Sequence, residues 1–208
     1  MSRSTRSRPL QNRVTPFGEL VAVRGRGLLM GNRGVLHDGE RRIVRPWQVR
    51  RWIACLTDFR GRYRAVMQPR RYTELFFLDE ATAFAAGHRP CAECRHADYR
   101  RFRGLWEARY GAPASADAMD RVLHAERLEG RQKRTHAARF AGLPDGAYVA
   151  LEGTAWLVCR GELHAWGDAG YARRRRRPRN GDADVLTPPS IVALLAAGLP
   201  VAVHPSAG

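Results

Sequence analysis

Lysine is almost absent from this strongly basic chain. The 208 residues include 36 Lys and Arg against 20 Asp and Glu, which gives a formal net charge of +16, and Lys133 is the single lysine. The excess is therefore arginine, whose planar guanidinium group binds phosphate through two hydrogen bonds. A coding bias could place arginine where lysine would serve, but it does not explain the net excess. The charge balance therefore predicts a polyanionic partner and favours a nucleic acid.

Long apolar runs are also missing. No segment approaches the roughly 20 apolar residues that a membrane helix needs. The polar start, residues 1–8, lacks the apolar core of a secretory signal. We therefore expect no membrane partner and a cytoplasmic location, where cysteines are more often reduced or metal-bound than paired in disulfides.

Familiar enzyme signatures are absent from the sequence. It has no nucleophile elbow, no His-Glu-x-x-His, no dinucleotide fingerprint and no second Cys-x-x-Cys pair. Glycines punctuate residues 25–34, as in a phosphate-binding loop, but no Lys-Ser/Thr follows and no βαβ pattern surrounds them. Turns between short strands explain these glycines better.

The four cysteines fall into different surroundings. Cys91 and Cys94 are two residues apart on a predicted turn, which directs both thiols at one point and is typical of tetrahedral zinc. Cys55 ends a strand-like run and enters a polar turn, whereas Cys159 lies in an apolar run where a free thiol acts as a small hydrophobic group. Cys55 is therefore the better third ligand, and Zn²⁺ is the expected cofactor. The alternatives are unligated thiols in the turn and a buried structural thiol at Cys55.

Two segments resemble a known family. Residues 81–94 end in Ala-Ala-Gly-His-Arg-Pro-Cys-Ala-Glu-Cys, which resembles the second ligand pair in the N-terminal zinc domain of the Ada DNA-repair family. That domain takes methyl groups from DNA phosphotriesters onto a zinc-bound cysteine. Residues 49–55, Val-Arg-Arg-Trp-Ile-Ala-Cys, resemble the strand that ends at the methyl acceptor. The resemblance covers about residues 45–96 and implies zinc ligands at Cys55, Cys91 and Cys94, with Arg89 beside the DNA backbone.

The fourth ligand departs from that family. Its second cysteine, four residues after the first, corresponds to Phe59 here. Asp58 is a candidate carboxylate ligand, and His88 and His96 are other possibilities. Replacing one of four thiolates reduces the electron density available for attack on carbon. We therefore expect a structural zinc, with methyl transfer to Cys55 as an alternative.

Arginines and aromatic residues interleave between residues 42 and 71, with Trp47, Trp52 and Phe59 among them. Bases can stack on such rings while guanidinium groups hold phosphates. The alternative is a sheet with an aromatic core face and a solvated arginine face, since period-two alternation fits both. A second basic run, residues 173–177, is predicted to be an exposed loop. The arginines expected to bind nucleic acid are Arg50, Arg51, Arg60, Arg62, Arg64, Arg89, Arg173, Arg174, Arg175, Arg176 and Arg177.

A helix predicted from Ser115 to Leu128 carries the candidate catalytic residues. Asp120 and His124 lie four residues apart on one face, and such a pair can orient an imidazole as a general base or bind a metal. This arrangement would suit a nuclease. The alternative is a solvated helix face with ordinary side-chain pairs.

The predicted fold class is α+β. We expect a small mixed sheet with a zinc-clipped helix-turn module, followed by helices and a short antiparallel β extension. Residues 1–15 are predicted to be a disordered basic arm, 16–112 an Ada-like zinc module, and 113–208 a helical segment with the β extension and a C-terminal helix. The expected function is a zinc-containing protein that binds nucleic acid, DNA rather than RNA, in DNA repair or processing. The alternatives are a nuclease, a methyl acceptor and an RNA-binding protein.

Overall fold

The structure combines two β-sheets with short helices. The computed structural model describes residues 8–61, 65–111 and 113–208, and within these ranges it contains two six-stranded sheets, a short hairpin and four α-helices. The α+β prediction is confirmed. None of the helices in these ranges combines the length and the apolar character that crossing a membrane requires.

The first sheet is mixed and lies in the N-terminal half. Its spatial order is β2-β1-β5-β3-β4-β6, in which the β1–β5 and β4–β6 pairs are parallel and the other pairs antiparallel. The strands are β1 Gln11–Val14, β2 Leu20–Ala22, β3 Leu29–Asn32, β4 Ile53–Leu56, β5 Leu75–Phe77 and β6 Arg89–Pro90. Residues 1–7 lie outside the described residues, but β1 falls inside the predicted disordered arm. That prediction is wrong for residues 11–14, because they pair with β2 and β5 and bury Arg13 and Val14.

Local capping signals mark several of the helix ends. They are α1 Glu80–Ala85, α2 His96–Tyr110, α3 Ala116–Arg127 and α4 Pro189–Ala196. The Asp79 side chain accepts a hydrogen bond from the Thr82 amide at the start of α1, and Ser115 caps α3 in the same way through Ala118. Gly111 ends α2 in the left-handed conformation, which glycine adopts without steric cost.

The second sheet is antiparallel and larger than the predicted β extension. Its order is β13-β12-β11-β10-β14-β9. The strands are β9 His136–Arg139, β10 Tyr148–Leu151, β11 Thr154–Cys159, β12 Glu162–Gly167, β13 Gly170–Arg176 and β14 Asp182–Val185, after a hairpin of β7 Leu128–Glu129 and β8 Gln132–Lys133. Its strands β10, β11 and β12 pair antiparallel and form the predicted β extension.

The second basic run is part of this sheet. Residues 173–176 belong to β13 and pair with β12, so the predicted exposed loop is wrong. The guanidinium carbons of Arg173 and Arg175 lie 5.4 and 4.6 Å from the centre of the Trp156 ring. Strand pairing satisfies the backbone, and ring contacts cover part of the arginine face, so four consecutive arginines are compatible with a strand.

The largest apolar cluster joins the two halves of the chain. Phe102 and Trp106 of α2 pack with Leu123 of α3, Leu194 of α4 and Val158 of the second sheet. This cluster runs across residue 112, the boundary predicted from the sequence. Helix α2 also packs against β6 and so connects the first sheet to this cluster, and the cysteine turn directly precedes α2.

Candidate metal centre

Hydrogen bonds between β4 and β6 bring Cys55 beside Cys91. The strands are parallel, with Ala54 paired to Pro90, and the Cys91 amide donates to the Ala54 carbonyl oxygen at 2.9 Å. Each cysteine directly follows one member of that pair. Because side chains at the same level of paired strands point to the same side, this register places both thiols on one face.

Cys94 completes a cluster of three thiols. The turn over residues 92–95 leads from β6 into α2, and the Sγ atoms of Cys55, Cys91 and Cys94 all lie within 4.8 Å of one another. Three thiolates that bind one zinc at about 2.3 Å fit within this separation. These cysteines can therefore bind a metal ion, whereas Cys159 lies apart in β11 of the second sheet.

The three thiols differ in acidity. A hydrogen bond from Cys55 lowers the pKa of Cys91 to about 5, and the same contact, followed by burial, raises the pKa of Cys55. Burial is the main cause that raises the pKa of Cys94, and the Leu56 amide opposes it. The Glu93 amide also donates to Cys91 Sγ at 3.4 Å. Backbone N–H groups directed at sulfur favour its anionic form, which is the form that binds metals.

A cavity of about 350 Å³ opens against the thiols, and all three cysteines line it. We call it the cysteine cavity. Its lining includes the aromatic rings of Phe59 and Phe76 and the carboxyl-bearing residues Glu74 and Glu93. Glu74 is 5 % exposed, and its Oε2 accepts from the Met67 amide at 2.7 Å. Three protein ligands beside a cavity leave a position that a water or substrate can fill, as in catalytic zinc sites.

The candidate fourth ligands lie elsewhere. Among the described residues, no His, Asp or Glu donor atom joins the thiol cluster, so Asp58 does not complete it as predicted. His88 is fully buried and accepts from Arg33 Nε at 3.3 Å, whereas exposed His96 contacts the Ala92 carbonyl oxygen at 3.0 Å. The turn geometry that presents Cys94 thus leaves these three side chains outside the centre.

Comparison with known proteins offers no relative. No family model, curated protein or solved structure matches this chain. The resemblance to the Ada zinc domain therefore stays a prediction. What the centre can do follows from the chemistry of its own side chains.

Arg89 is buried beside the cysteine turn and does not face a partner. It is 2 % exposed, and its Nε and Nη2 atoms donate to the two carboxylate oxygens of Asp120 at 2.9 and 2.8 Å. The implied contact of Arg89 with a DNA backbone does not fit this burial. The pair instead ties β6, directly before Cys91, to α3.

Asp120 and His124 are held by different partners. Arg89 donates hydrogen bonds to both carboxylate oxygens of Asp120, and burial raises the pKa of this carboxyl group. His124 Nδ1 lies 3.0 Å from Arg127 Nη2, and burial lowers the pKa of the imidazole. No hydrogen bond joins the two within the described part of the chain. The catalytic role of this pair stays a prediction.

Replacing His124 by alanine tests that role. Because its Nδ1 is occupied by Arg127, we expect the variant to leave any strand cleavage unchanged while the fold is retained. Cleavage of single- and double-stranded DNA by the metal-loaded protein, with circular dichroism as the fold check, measures this. Loss of cleavage in a folded variant would restore the general-base role.

The other arginines that were predicted to bind nucleic acid differ in how exposed they are. Arg50, Arg51 and Arg60 are exposed, and the guanidinium carbon of Arg60 lies 4.9 Å from the centre of the Phe59 ring at the cysteine cavity. Arg62 and Arg64 lie outside the described residues. Of the run in β13, Arg173, Arg174 and Arg176 are exposed, and Arg175 and Arg177 are half-buried. The exposed members are available to a polyanion.

A buried cationic cluster was not predicted. Trp52, 2 % exposed, packs against Arg33 and Arg127, whose guanidinium carbons are 3.9 and 3.8 Å from its ring centre. Backbone carbonyl oxygens accept from both arginines, and burial lowers the pKa of each. The aromatic residue at position 52 therefore belongs to the core and is not a stacking platform for bases. Its alternation with arginine in the sequence was compatible with either role.

Proposed function

We propose that Cys55, Cys91 and Cys94 bind Zn²⁺ and that the protein is a nucleic-acid-binding protein acting on DNA in repair or processing. The observation that carries the proposal is the cluster of three thiols at the wall of the cysteine cavity. Thiolates are soft ligands, and a compact thiolate set selects zinc or iron–sulfur chemistry over magnesium or calcium. Three thiolates are one short of the four that iron–sulfur clusters use, and Cys159 lies apart in β11, so zinc is favoured.

The charge of the chain supports DNA as the partner. The net charge is +16, and exposed arginines lie at both ends of β4, with Arg50 and Arg51 before it and Arg60 after it. Guanidinium groups on either side of the cysteine strand can hold phosphates while the cavity faces the bound strand. Methyl transfer to Cys55 stays an alternative within this proposal, since Cys55 lines the cavity.

Metal content tests the zinc centre. We expect one zinc per chain by elemental mass spectrometry, absent from Cys55→Ser and from Cys91→Ser, because two remaining thiolates bind zinc far more weakly. Cys159→Ser is the matched control and should keep its zinc. Asp58→Ala should keep it too. Purified wild type without zinc, or Cys91→Ser with a full complement, would overturn the proposal.

Salt dependence of DNA affinity tests the partner. The triple change of Arg50, Arg51 and Arg60 to alanine should reduce the slope of log affinity against log salt by about 0.9 for each phosphate that the variant no longer neutralises. Fluorescence anisotropy with labelled duplex DNA, single-stranded DNA and RNA measures it. A control with the same charge change replaces three exposed arginines of α2, namely Arg100, Arg101 and Arg109. Equal slopes for both triple variants would indicate diffuse attraction and contradict a defined surface, and tighter binding to RNA would replace DNA as the partner.

A further inference from the structure

A second cavity, of about 400 Å³, adjoins the cysteine cavity, and we call it the arginine cavity. The two share Thr57 and Phe76 in their linings. Arg13 of β1 and Arg26 of the loop between β2 and β3 line the arginine cavity, and no Asp or Glu is among its described lining residues. The cavity therefore carries two positive charges without a carboxylate in its wall.

Arg13, which lines this cavity, has a buried donor without a partner among the described residues. The residue is 3 % exposed, and its Nη2 donates to the carbonyl oxygen of Gly25. Its Nη1 is buried and has no hydrogen-bond partner among the described residues. Arg13 forms no ion pair within 4 Å there, although the carboxylate of Asp168 partly offsets the lowering of its pKa by burial. A buried guanidinium donor without an acceptor is costly, and an anionic ligand would satisfy it.

The loop that carries Arg26 is held in place by close packing. A Cβ at Gly25 would lie 2.0 Å from the carbonyl oxygen of Asp168, and one at Gly27 would lie 2.3 Å from that of Phe77. These two glycines are therefore required for the loop to lie against its neighbours and need no ligand to explain them. Arg26 lies between the two glycines and is exposed, so its side chain extends from a backbone that is fixed on both sides. The arginine cavity is accordingly preformed.

We propose that the arginine cavity binds a phosphate group of a ligand whose remainder extends past Thr57 and Phe76 into the cysteine cavity. Two guanidinium groups match the several acceptor oxygens of a phosphate better than the two oxygens of a carboxylate. The shared lining lets one phosphate ester occupy both cavities. The phosphate subsite stands without the metal, and only the extension toward the thiols rests on the proposed function.

Titration of the full chain with defined phosphate compounds tests the subsite. The probes are inorganic phosphate, a dinucleotide with an internal phosphodiester, the same dinucleotide with a 5′-phosphate, and acetate as the carboxylate control, each followed by isothermal titration calorimetry. Arg26→Ala should weaken phosphate binding about tenfold, the usual scale for a charge-assisted hydrogen bond. Arg24→Ala is the matched control, since Arg24 is exposed in the same loop but is not among the residues that line the cavity. Its affinity should match that of wild type.

Arg13→Lys adds an internal check, because lysine keeps the positive charge but lacks the planar guanidinium group that donates two parallel hydrogen bonds. This variant should weaken phosphate binding by a similar factor. If that variant does not fold, the comparison of Arg26→Ala with Arg24→Ala decides. Amide shifts on phosphate addition, mapped by NMR, should centre on residues 25–27 and Thr57. Tighter binding of the 5′-phosphate compound identifies a phosphomonoester as the ligand group, and equal binding of both dinucleotides identifies the backbone phosphodiester.

Absence of phosphate binding, or equal weakening by Arg24→Ala and Arg26→Ala, would overturn the subsite. Stronger binding of acetate than of phosphate would do the same. These outcomes are independent of metal content: a chain without zinc that binds phosphate through Arg26 removes the metal proposal alone. A zinc-loaded chain that does not bind phosphate removes the subsite alone.

Discussion

Replacement of Asp120 by asparagine should lower the free energy of unfolding by about 3–5 kcal/mol, because Arg89 would keep its buried charge without a countercharge. The two side chains are 2 % and 3 % exposed, so water cannot replace the missing partner. Urea denaturation at pH 7, followed by circular dichroism, measures the change. The effect should reach the metal centre as well, since Arg89 lies in β6, two residues before Cys91.

The control lies on the same helix. Asp117 of α3 contacts Arg51 at 3.4 Å, but both side chains are more than 60 % exposed, so Asp117→Asn should cost at most about 1 kcal/mol. A double change of Arg89 to methionine and Asp120 to leucine should recover much of the stability, since an apolar pair of similar volume can replace a buried ion pair. An Asp120→Asn variant as stable as Asp117→Asn would show that the buried pair does not hold β6 to α3.

Stability should rise between pH 7 and about pH 10 because of Lys133. Burial, with Arg33 and Arg127 nearby, lowers the pKa of its ammonium group from 10.5 to about 7. Between those values the unfolded chain binds a proton that the folded chain does not, so the free energy of unfolding increases with pH. Because the side chain is only half-buried and its Nζ donates to the Ala85 carbonyl oxygen, the gain stays below the roughly 5 kcal/mol that a fully buried ammonium group would give. Below pH 7 both states are protonated, and the full cost of the buried charge remains.

Lys133→Met should remove the part of this slope that Lys133 contributes, whereas Arg33 and Arg127, whose pKa values burial also lowers, keep theirs. The variant should be more stable than wild type at pH 6 and similar to it at pH 10, apart from the absence of the 2.5 Å hydrogen bond from Nζ to the Ala85 carbonyl oxygen. Urea unfolding of both proteins at pH 6, 8 and 10 gives the difference between their free energies of unfolding. The contributions of groups that titrate in both proteins cancel in this difference. Because Lys133 is the single lysine, its side-chain ¹³C signal reports the pKa directly. A midpoint near 10.5 would contradict the prediction.

The parts of the fold that depend on neighbouring residues were predictable from the sequence. The Ser115 cap of α3, the glycine stop of α2 and the three strands β10, β11 and β12 all follow from short-range signals. The thiol cluster was predicted too, because Cys91 and Cys94 share a turn and Cys55 enters a polar turn, whereas Cys159 lies in an apolar run.

The buried arginines were not predictable. Arg33 is accommodated by a carbonyl oxygen 15 residues away and an imidazole 55 residues away, and neither interaction leaves a local pattern. The sequence predicts a loop for the arginines of β13 because consecutive charges are typical of irregular structure, whereas strand pairing and Trp156 hold them in the sheet. Glu74 offered a missed signal, since it is a lone carboxylate in an otherwise apolar strand region and lines the cysteine cavity.

The register of β4 against β6 also sets an order of assembly. Cys55 and Cys91 are far apart in the chain, and the residues between them include β5 and α1. Closing so long a loop has an entropic cost, which the contacts of the sheet must offset. The two thiols become neighbours only when Ala54 pairs with Pro90. During synthesis Cys55 therefore leaves the ribosome well before Cys91 and Cys94, and until they follow, it can offer only one thiol to a metal ion. Capture of an ion by all three thiols would accordingly be a late event that requires this edge of the sheet to have formed.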